Sequence, residues 1–256
     1  AIQLAVWLES LCYWRAKHIV SVTGGIHDRL LKRGFSESEV TLITNGANTE
    51  LFKQMPEKGS EIREQLNLQD KFIVLYAGIH GIAQGLPSVI ETANILKDKK
   101  EVHFLFVGEG PVKAKVKEQA QHLNLGNVTF HSEIPRVRMP EFYSAADVSL
   151  VPLRKLELFQ GALPSKMFDS WACECPLLLS VDGEARDLIE KVDGGLFVPP
   201  EDSAELAKAI ERLMSLPDRG KSLGLNGRKI TEQKYSRSAL AKELEKLLVK
   251  KTTIPQ

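Results

Sequence analysis

The stretch Phe72-Ile-Val-Leu-Tyr-Ala-Gly-Ile-His80 decides the fold. Phe72 to Ala77 are apolar without a break, and a strand with one wet face would alternate apolar and polar side chains. Such a run is a strand covered on both faces; it is far shorter than the roughly 18–20 residues of a membrane span. The same unit recurs downstream. Val102–Val107, Val128–His131, Val148–Pro152, Pro176–Val181 and Leu196–Val198 are further candidate strands. Leu86–Lys97, Pro111–Leu123, Met139–Ala145, Ser165–Cys173 and Ala185–Lys191 carry helical periodicity between them. Alternation of doubly buried strands with amphipathic helices predicts an α/β domain, a doubly wound parallel sheet of Rossmann-like type. Its ligand is expected beyond the carboxyl ends of the strands.

The flanks differ. Ser203–Met214, Lys221–Tyr235 and Ala239–Val249 read as helices with no strand between them, a helical wrapper. Upstream lie a helix-like stretch from Ala1 to Ala16, a strand Lys17–Val22 and a helix Gly25–Lys32. One strand and two helices make no sheet of their own, and Trp7, Tyr13 and Trp14 would lack a partner. This segment is therefore expected to belong to a preceding domain.

Composition narrows the class. With 34 basic and 33 acidic residues in 256, the net charge of +1 gives no support for a nucleic-acid partner or a general membrane-surface role. Three cysteines, Cys12, Cys173 and Cys175, argue against a disulfide framework and for a reducing compartment. Cys173 and Cys175 lack further ligands at metal-site spacing and read as small buried residues at a helix end. No positively charged leader with a small-residue cleavage site opens the chain, so nothing marks it for secretion.

The chemistry concentrates in Gly161-Ala-Leu-Pro-Ser-Lys-Met-Phe-Asp169. Pro164 suits the first turn of a helix starting near Ser165, whose orphan amides and dipole would hold a phosphate. Lys166 adds a full charge. Asp169 follows one turn deeper on the same face, where its carboxylate could accept from paired sugar hydroxyls. Together they suggest a nucleotide diphosphate; the same residues also describe a capped amphipathic helix with a surface Asp–Lys pair, and spacing does not choose between the two.

Taken in order, the blocks resemble the C-terminal, donor-binding half of a retaining GT-B glycosyltransferase of glycosyltransferase family 4 (group 1), in particular the bacterial subgroup that builds O-antigen and capsule. Arg15-Ala-Lys-His-Ile-Val-Ser-Val22 resembles the last strand of the family's N-terminal domain, and Val40-Thr-Leu-Ile-Thr-Asn-Gly-Ala-Asn-Thr-Glu-Leu-Phe52 its inter-domain segment. Tyr76–Leu86, Phe106–Pro111, Tyr143–Pro152, Leu163–Ala172 and Val181–Arg186 are similar to successive family blocks. The resemblance implies three units: 1–40, a remnant of the N-terminal acceptor domain; 41–235, the Rossmann-like donor domain; and 236–256, a C-terminal helix packing back toward the N-terminal domain.

It also implies roles. Arg154 and Lys166 would stabilise the leaving diphosphate, replacing the Arg and Lys that many relatives carry in the loop here read His80-Gly-Ile-Ala-Gln-Gly85. By their place after the first strand of the domain, His80 and Gly81 either turn backbone amides toward phosphate or form a glycine-rich turn with an incidental histidine, and Gly108 would line the base or ribose pocket. Glu133 and Ile134 would hold the base through their backbone, while Gly161, Ala162, Leu163, Pro164, Ser165 and Asp169 would bind donor. Many relatives have two glutamates, facing sugar and ribose, where this chain has Gly161 and Asp169; backbone groups of Gly161 to Leu163 would then hold the sugar. Glu184 is explained by capping its own helix. No cofactor and no metal are expected.

The expected partners are a nucleotide-diphosphate sugar, UDP-linked in this subgroup, a saccharide or lipid-linked acceptor, and the N-terminal domain of the same protein. The expected location is the cytoplasm, or the inner face of its membrane. Two rivals share the fold: an epimerase acting on the donor without an acceptor, and a non-catalytic nucleotide-sugar-binding module, for which Gly161 is the best argument.

Overall fold

The computed structural model describes residues 2–252. Ala1 of the first expected helix and 253–256 of the expected C-terminal unit lie outside the described residues.

The predicted strands form one parallel sheet. β3 (Phe72–Ala77), β4 (Val102–Val107), β5 (Val128–His131), β6 (Val148–Pro152), β7 (Leu177–Ser180) and β8 (Gly195–Phe197) are ordered β5-β4-β3-β6-β7-β8. Renumbered within the domain this is 3-2-1-4-5-6, the doubly wound order, whose switch point lies between β3 and β6. All six residues of β3 are buried. Ile73 and Leu75 face one core with Phe168 and Trp171, whereas Phe72, Val74 and Tyr76 face a second core with Leu86, Ile90 and Phe106. Burying each such side chain stabilises by about 1.5–3 kcal/mol, so the unbroken apolar run is what permits helices on both faces.

α4 (Leu86–Ile95), α5 (Lys113–His122) and α9 (Ser203–Ser215) cover the second core; α6 (Met139–Ala145), α7 (Ser165–Ala172), α8 (Glu184–Val192) and α10 (Lys221–Lys234) cover the first. α3 (Pro56–Gln65) is a helix that periodicity does not announce. It offers only Gly59 and Ile62 as buried positions, and Gly59 lets it ride on the backbone of Ser144. α10 packs against α7 through Gly227, which lies directly on the Trp171 ring. α11 (Arg237–Thr252) runs on with Leu244, Leu248 and Val249 exposed.

The opening segment corrects one expectation. α1 (Ile2–Arg15), β1 (Ile19–Ser21) and α2 (Gly24–Lys32) are joined by β2 (Val40–Leu42), which pairs in parallel with β1, Ile19 opposite Val40. The strand does find a partner, and the pairing spans position 40. β2 is three residues long, too short to be read by periodicity. The expected bare apolar face is present in part: Trp7 and Trp14 are 59% and 82% exposed, whereas Tyr13 packs edge-on against Phe35 and under the Arg33 guanidinium. Ala47 bridges Ser236, and Arg237 Nε donates to the Gly46 carbonyl at 2.9 Å, so the junction of α10 and α11 is tied to the segment that follows β2.

Candidate functional site

At the switch point, three segments meet. β3 ends at Ala77 and turns through Gly78 at φ 124°, a conformation that disfavours any side chain. A Cβ there would sit 2.8 Å from Lys166 Cε. The bare glycine gives Lys166, arriving from the start of α7, its place over the strand end. Lys166 Nζ lies 4.3 Å from the centre of the Tyr76 ring and donates to Tyr76 Oη at 3.1 Å. Tyr76 in turn donates to the Ile79 carbonyl. Desolvation pushes the Lys166 pKa down to about 8. A cation that has no carboxylate partner among the described residues, beside the Ser165 and Lys166 amides of a helix start, is suited to receive an anion.

α7 starts at Ser165 as expected, but Pro164 is its N-cap, with φ −60° and ψ 126°, rather than its first helical residue. This proline cap has no side chain to accept from the helix start, and the Met167 amide donates to the Pro164 carbonyl at 3.0 Å, which leaves the Ser165 and Lys166 amides to meet a ligand.

One turn on, Asp169 is buried at 6% exposure. Arg136 Nη2 donates to both of its oxygens, at 3.0 and 2.9 Å. Burial raises the Asp169 pKa, and Arg136 and Arg237 oppose that rise. Arg136 itself is half exposed and stacks 4.9 Å from the centre of the Phe52 ring. The sequence reading missed Arg136; lying in a polar loop after β5, it carries no periodic or motif signal of its own.

The loops holding Gly108 and His131 are gathered by Lys113, also missed. Its Nζ donates to the Gly108 carbonyl at 2.8 Å, the His131 carbonyl at 3.0 Å and Glu109 Oε1 at 2.6 Å. Lys113 first, and the Glu133 backbone amide among weaker causes, hold the Glu109 carboxyl below its ordinary pKa. Gly108 packs on the Gly78 backbone, so two predicted loops do converge. Glu133 is exposed and Ile134 half-buried against the first core.

His80 is a correction. Its backbone amide donates to the Glu109 carbonyl at 2.8 Å, and its ring is fully buried among Tyr76, Phe106 and Phe130. Neither ring nitrogen has a hydrogen-bond partner. Desolvation first, then Lys113, pushes its pKa down to about 4, so it is a neutral core residue. Gly81 follows it and begins the short turn Ile82–Gln84. Arg154 stands apart from Lys166: its backbone amide donates to the Ala83 carbonyl at 2.8 Å and its Nε lies 3.6 Å from Glu201. It borders a cavity of about 450 Å³ with Phe159, Gln160, Asp182 and Arg186.

Gly161 meets α2. A Cβ on Gly25 would lie 2.9 Å from Gly161 Cα. Ala162 and Leu163 continue the loop, Leu163 being buried. Cys173 and Cys175 are buried free thiols with pKa values raised by burial, which keeps them unreactive. Among the described residues no three His, Cys, Asp or Glu side chains group as a metal site.

Residues 58–230 match the family described as glycosyl transferases group 1. The chain belongs to this family. It is 27% identical over 220 residues to the putative colanic acid biosynthesis glycosyl transferase WcaI of Escherichia coli K12, covering 84% of this chain and 54% of that protein. Alpha-D-kanosaminyltransferase of Streptomyces kanamyceticus is 24% identical, over 94% of this chain and 62% of its own length. The chain thus spans little more than half the length of these relatives. HepE of Anabaena, solved with UDP and glucose, superposes with a TM-score of 0.81 over 94% of this chain and 65% of its own, at 20% identity. That likeness shows the GT-B glycosyltransferase architecture of the group 1 family.

Proposed function

We propose that this chain is the donor-binding part of a retaining glycosyltransferase that takes a sugar from a nucleotide-diphosphate sugar, UDP-linked, and passes it to a saccharide or lipid-linked acceptor in cell-surface polysaccharide synthesis. The observation that carries it is Lys166, an ammonium without a carboxylate partner among the described residues, poised at the start of α7 above Gly78. The diphosphate lies on the α7 amides and Lys166, with the nucleoside toward Asp169, Arg136 and the loops holding Gly108, Glu133 and Ile134. The sugar lies toward Gly161, Ala162 and Leu163. Arg154, in a half-exposed pair with Glu201 that is energetically cheap to break, swings onto the phosphates when donor binds. As the bond between the anomeric carbon and phosphate oxygen breaks, Lys166, Arg154 and the helix amides stabilise the departing charge. The acceptor hydroxyl oxygen bonds to the anomeric carbon on the same face, and its proton goes to the departing phosphate.

Acceptor chemistry then belongs to the N-terminal domain, of which the segment up to residue 40 is the remnant, with α11 returning toward it. A lipid-linked acceptor places the protein at the inner face of the cytoplasmic membrane; no described helix is long and apolar enough to cross that membrane. The names of WcaI and of the capsular polysaccharide biosynthesis glycosyltransferase CapM of Staphylococcus aureus support the cell-surface assignment, and the UDP complex of HepE supports the nucleotide.

The test is calorimetric titration of the chain with UDP and GDP, without added metal, alongside Lys166→Ala and Asp169→Asn. UDP binding weakened at least tenfold by each substitution is expected, the loss of one charge-assisted hydrogen bond being worth about 1.5–3 kcal/mol. Binding indifferent to both substitutions would sink the reading.

A further inference from the structure

Glu184 opens α8, but its carboxylate serves another helix. Oε1 accepts from the Gly24 amide at 2.8 Å and Oε2 from the Gly25 amide at 2.9 Å. These amides begin α2, whose Thr23 cap takes the Ile26 amide on its side chain, at 3.2 Å, and the His27 amide on its carbonyl, at 3.0 Å. Glu184 therefore neutralises orphan donors and the positive dipole end of a helix 160 residues away in sequence. Its own backbone amide donates to the Gln160 carbonyl at 2.8 Å. Gly183, at φ 82°, packs so closely on that carbonyl that no side chain fits there. One residue thus ties the loop before α7 to α2. At the join the two backbones touch: a Cβ on Gly161 would lie 3.3 Å from Gly25 Cα, and one on Gly25 2.9 Å from Gly161 Cα.

Capping of α8 does not account for this, because the carboxylate is turned away from α8 and both its oxygens are used on α2. Nor can Gly161 fix the loop itself, having no side chain. We infer that Glu184 is the positioning residue for the sugar end of the donor site: its carboxylate clasps α2 onto the Gln160–Gly161 loop and so sets where the backbone groups of Gly161 to Leu163 stand. The inference rests on the donor-site reading above. The donor reading gives the Gln160–Gly161 loop to the sugar and Asp169 and Arg136 to the nucleoside, so loss of the clasp is expected to act on the sugar and spare the nucleoside.

The experiment has two arms, on this chain and on Glu184→Ala, Glu184→Gln and Gly25→Ala. Site-resolved hydrogen exchange reads the clasp: the Gly24 and Gly25 amides are expected to exchange about tenfold faster in Glu184→Ala, in keeping with the usual worth of a hydrogen bond. Titration reads the site, using UDP and whichever of UDP-glucose, UDP-galactose and UDP-N-acetylglucosamine binds the unaltered chain most tightly. In Glu184→Ala the Kd for UDP stays within about twofold while the ratio of UDP-sugar to UDP affinity falls by about tenfold, one hydrogen bond's worth. Glu184→Gln, which keeps one acceptor and sets an NH2 against the other amide, falls between. Gly25→Ala leaves Glu184 in place and pushes α2 off Gly161, so the same ratio falls even if Glu184→Ala does not fold. Unchanged exchange at Gly24 and Gly25 overturns the clasp. Equal weakening of UDP and UDP-sugar, or an unchanged ratio, overturns the positioning role. An unaltered chain that binds no nucleotide overturns the donor reading and the sugar-end role with it, while exchange still decides whether the clasp exists.

Discussion

Arg136 Nη2 stands 2.9 Å from Asp169 Oδ2 and 3.0 Å from Oδ1, gripping a nearly buried carboxylate from a half-exposed position on the Phe52 ring. Removing either partner alone is unequal to removing both, because a buried charge left unpaired costs more than the pair contributes. Arg136→Met is expected to lower stability by about 1–3 kcal/mol, and Arg136→Met with Asp169→Asn to recover part of that loss. Urea unfolding of the four proteins in a double-mutant cycle measures it; a double variant less stable than Arg136→Met would refute the account.

Lys166 makes nucleotide binding depend on pH. Burial lowers its pKa to about 8 from 10.5, and a bound diphosphate favours the protonated form. UDP affinity is therefore expected to fall as pH rises above about 8, with proton uptake on binding. Calorimetry at pH 7, 8 and 9 in buffers of different ionisation enthalpy detects that uptake, and Lys166→Met abolishes it.

The same group sets a stability trend in the free chain. Between the folded value near 8 and the unfolded value of 10.5 the unfolded chain binds more protons, so Lys166 makes stability rise with pH across that window. Its burial cost is fully present below pH 8. Lys166→Met is expected to be favoured relative to the native chain at pH 7, with the difference shrinking toward pH 10. Denaturant melts at both values decide this; a constant difference contradicts it.

Gly227→Ala separates propensity from packing. Helix propensity alone promises a gain of about 1 kcal/mol in mid-helix. Yet the Trp171 ring occupies the space a Cβ would need, and overpacking a full core costs about 1–3 kcal/mol. A lower Tm is expected; a raised one would show that α10 slides freely on α7.

Trp171→Phe removes the Nε1 hydrogen bond to the Gly194 carbonyl at 2.8 Å, leaves that buried acceptor only the longer bond from the Leu177 amide at 3.3 Å, and opens a cavity. A loss of about 2–4 kcal/mol is expected from the lost hydrogen bond and the lost volume together. Denaturant unfolding measures it, and a change below about 1 kcal/mol would mean that water replaces the indole.

The sheet was legible because its strands are buried on both faces. Phe72–Ala77, Val102–Val107 and Val148–Pro152 have the ends the sequence predicts. β2 and α3 were not, since one is three residues long and the other buries two positions. At the site, the helix start at Ser165 was readable from Pro164, and Lys166 and Asp169 from their spacing. Arg136 and Glu184 were not, because each acts on groups far along the chain; Lys113 was not, because its local pair with Glu109 gives no sign of its bond to the His131 carbonyl; and His80 looked like a loop residue, although its ring lies inside the second core.

Local rules fixed what repeats locally: parallel α/β alternation, an anion-ready helix start at Ser165, a carboxylate one turn beyond it. Tertiary structure alone decided which side chains those features meet. Strand order brings Gly78 under Lys166 and the β5 loop's Arg136 to Asp169, and the fold of α8 against α2 spends Glu184 on Gly24 and Gly25. Hydrogen bonds and charge pairs act over a few ångströms of space, and no periodicity in the chain encodes which distant residues close that distance.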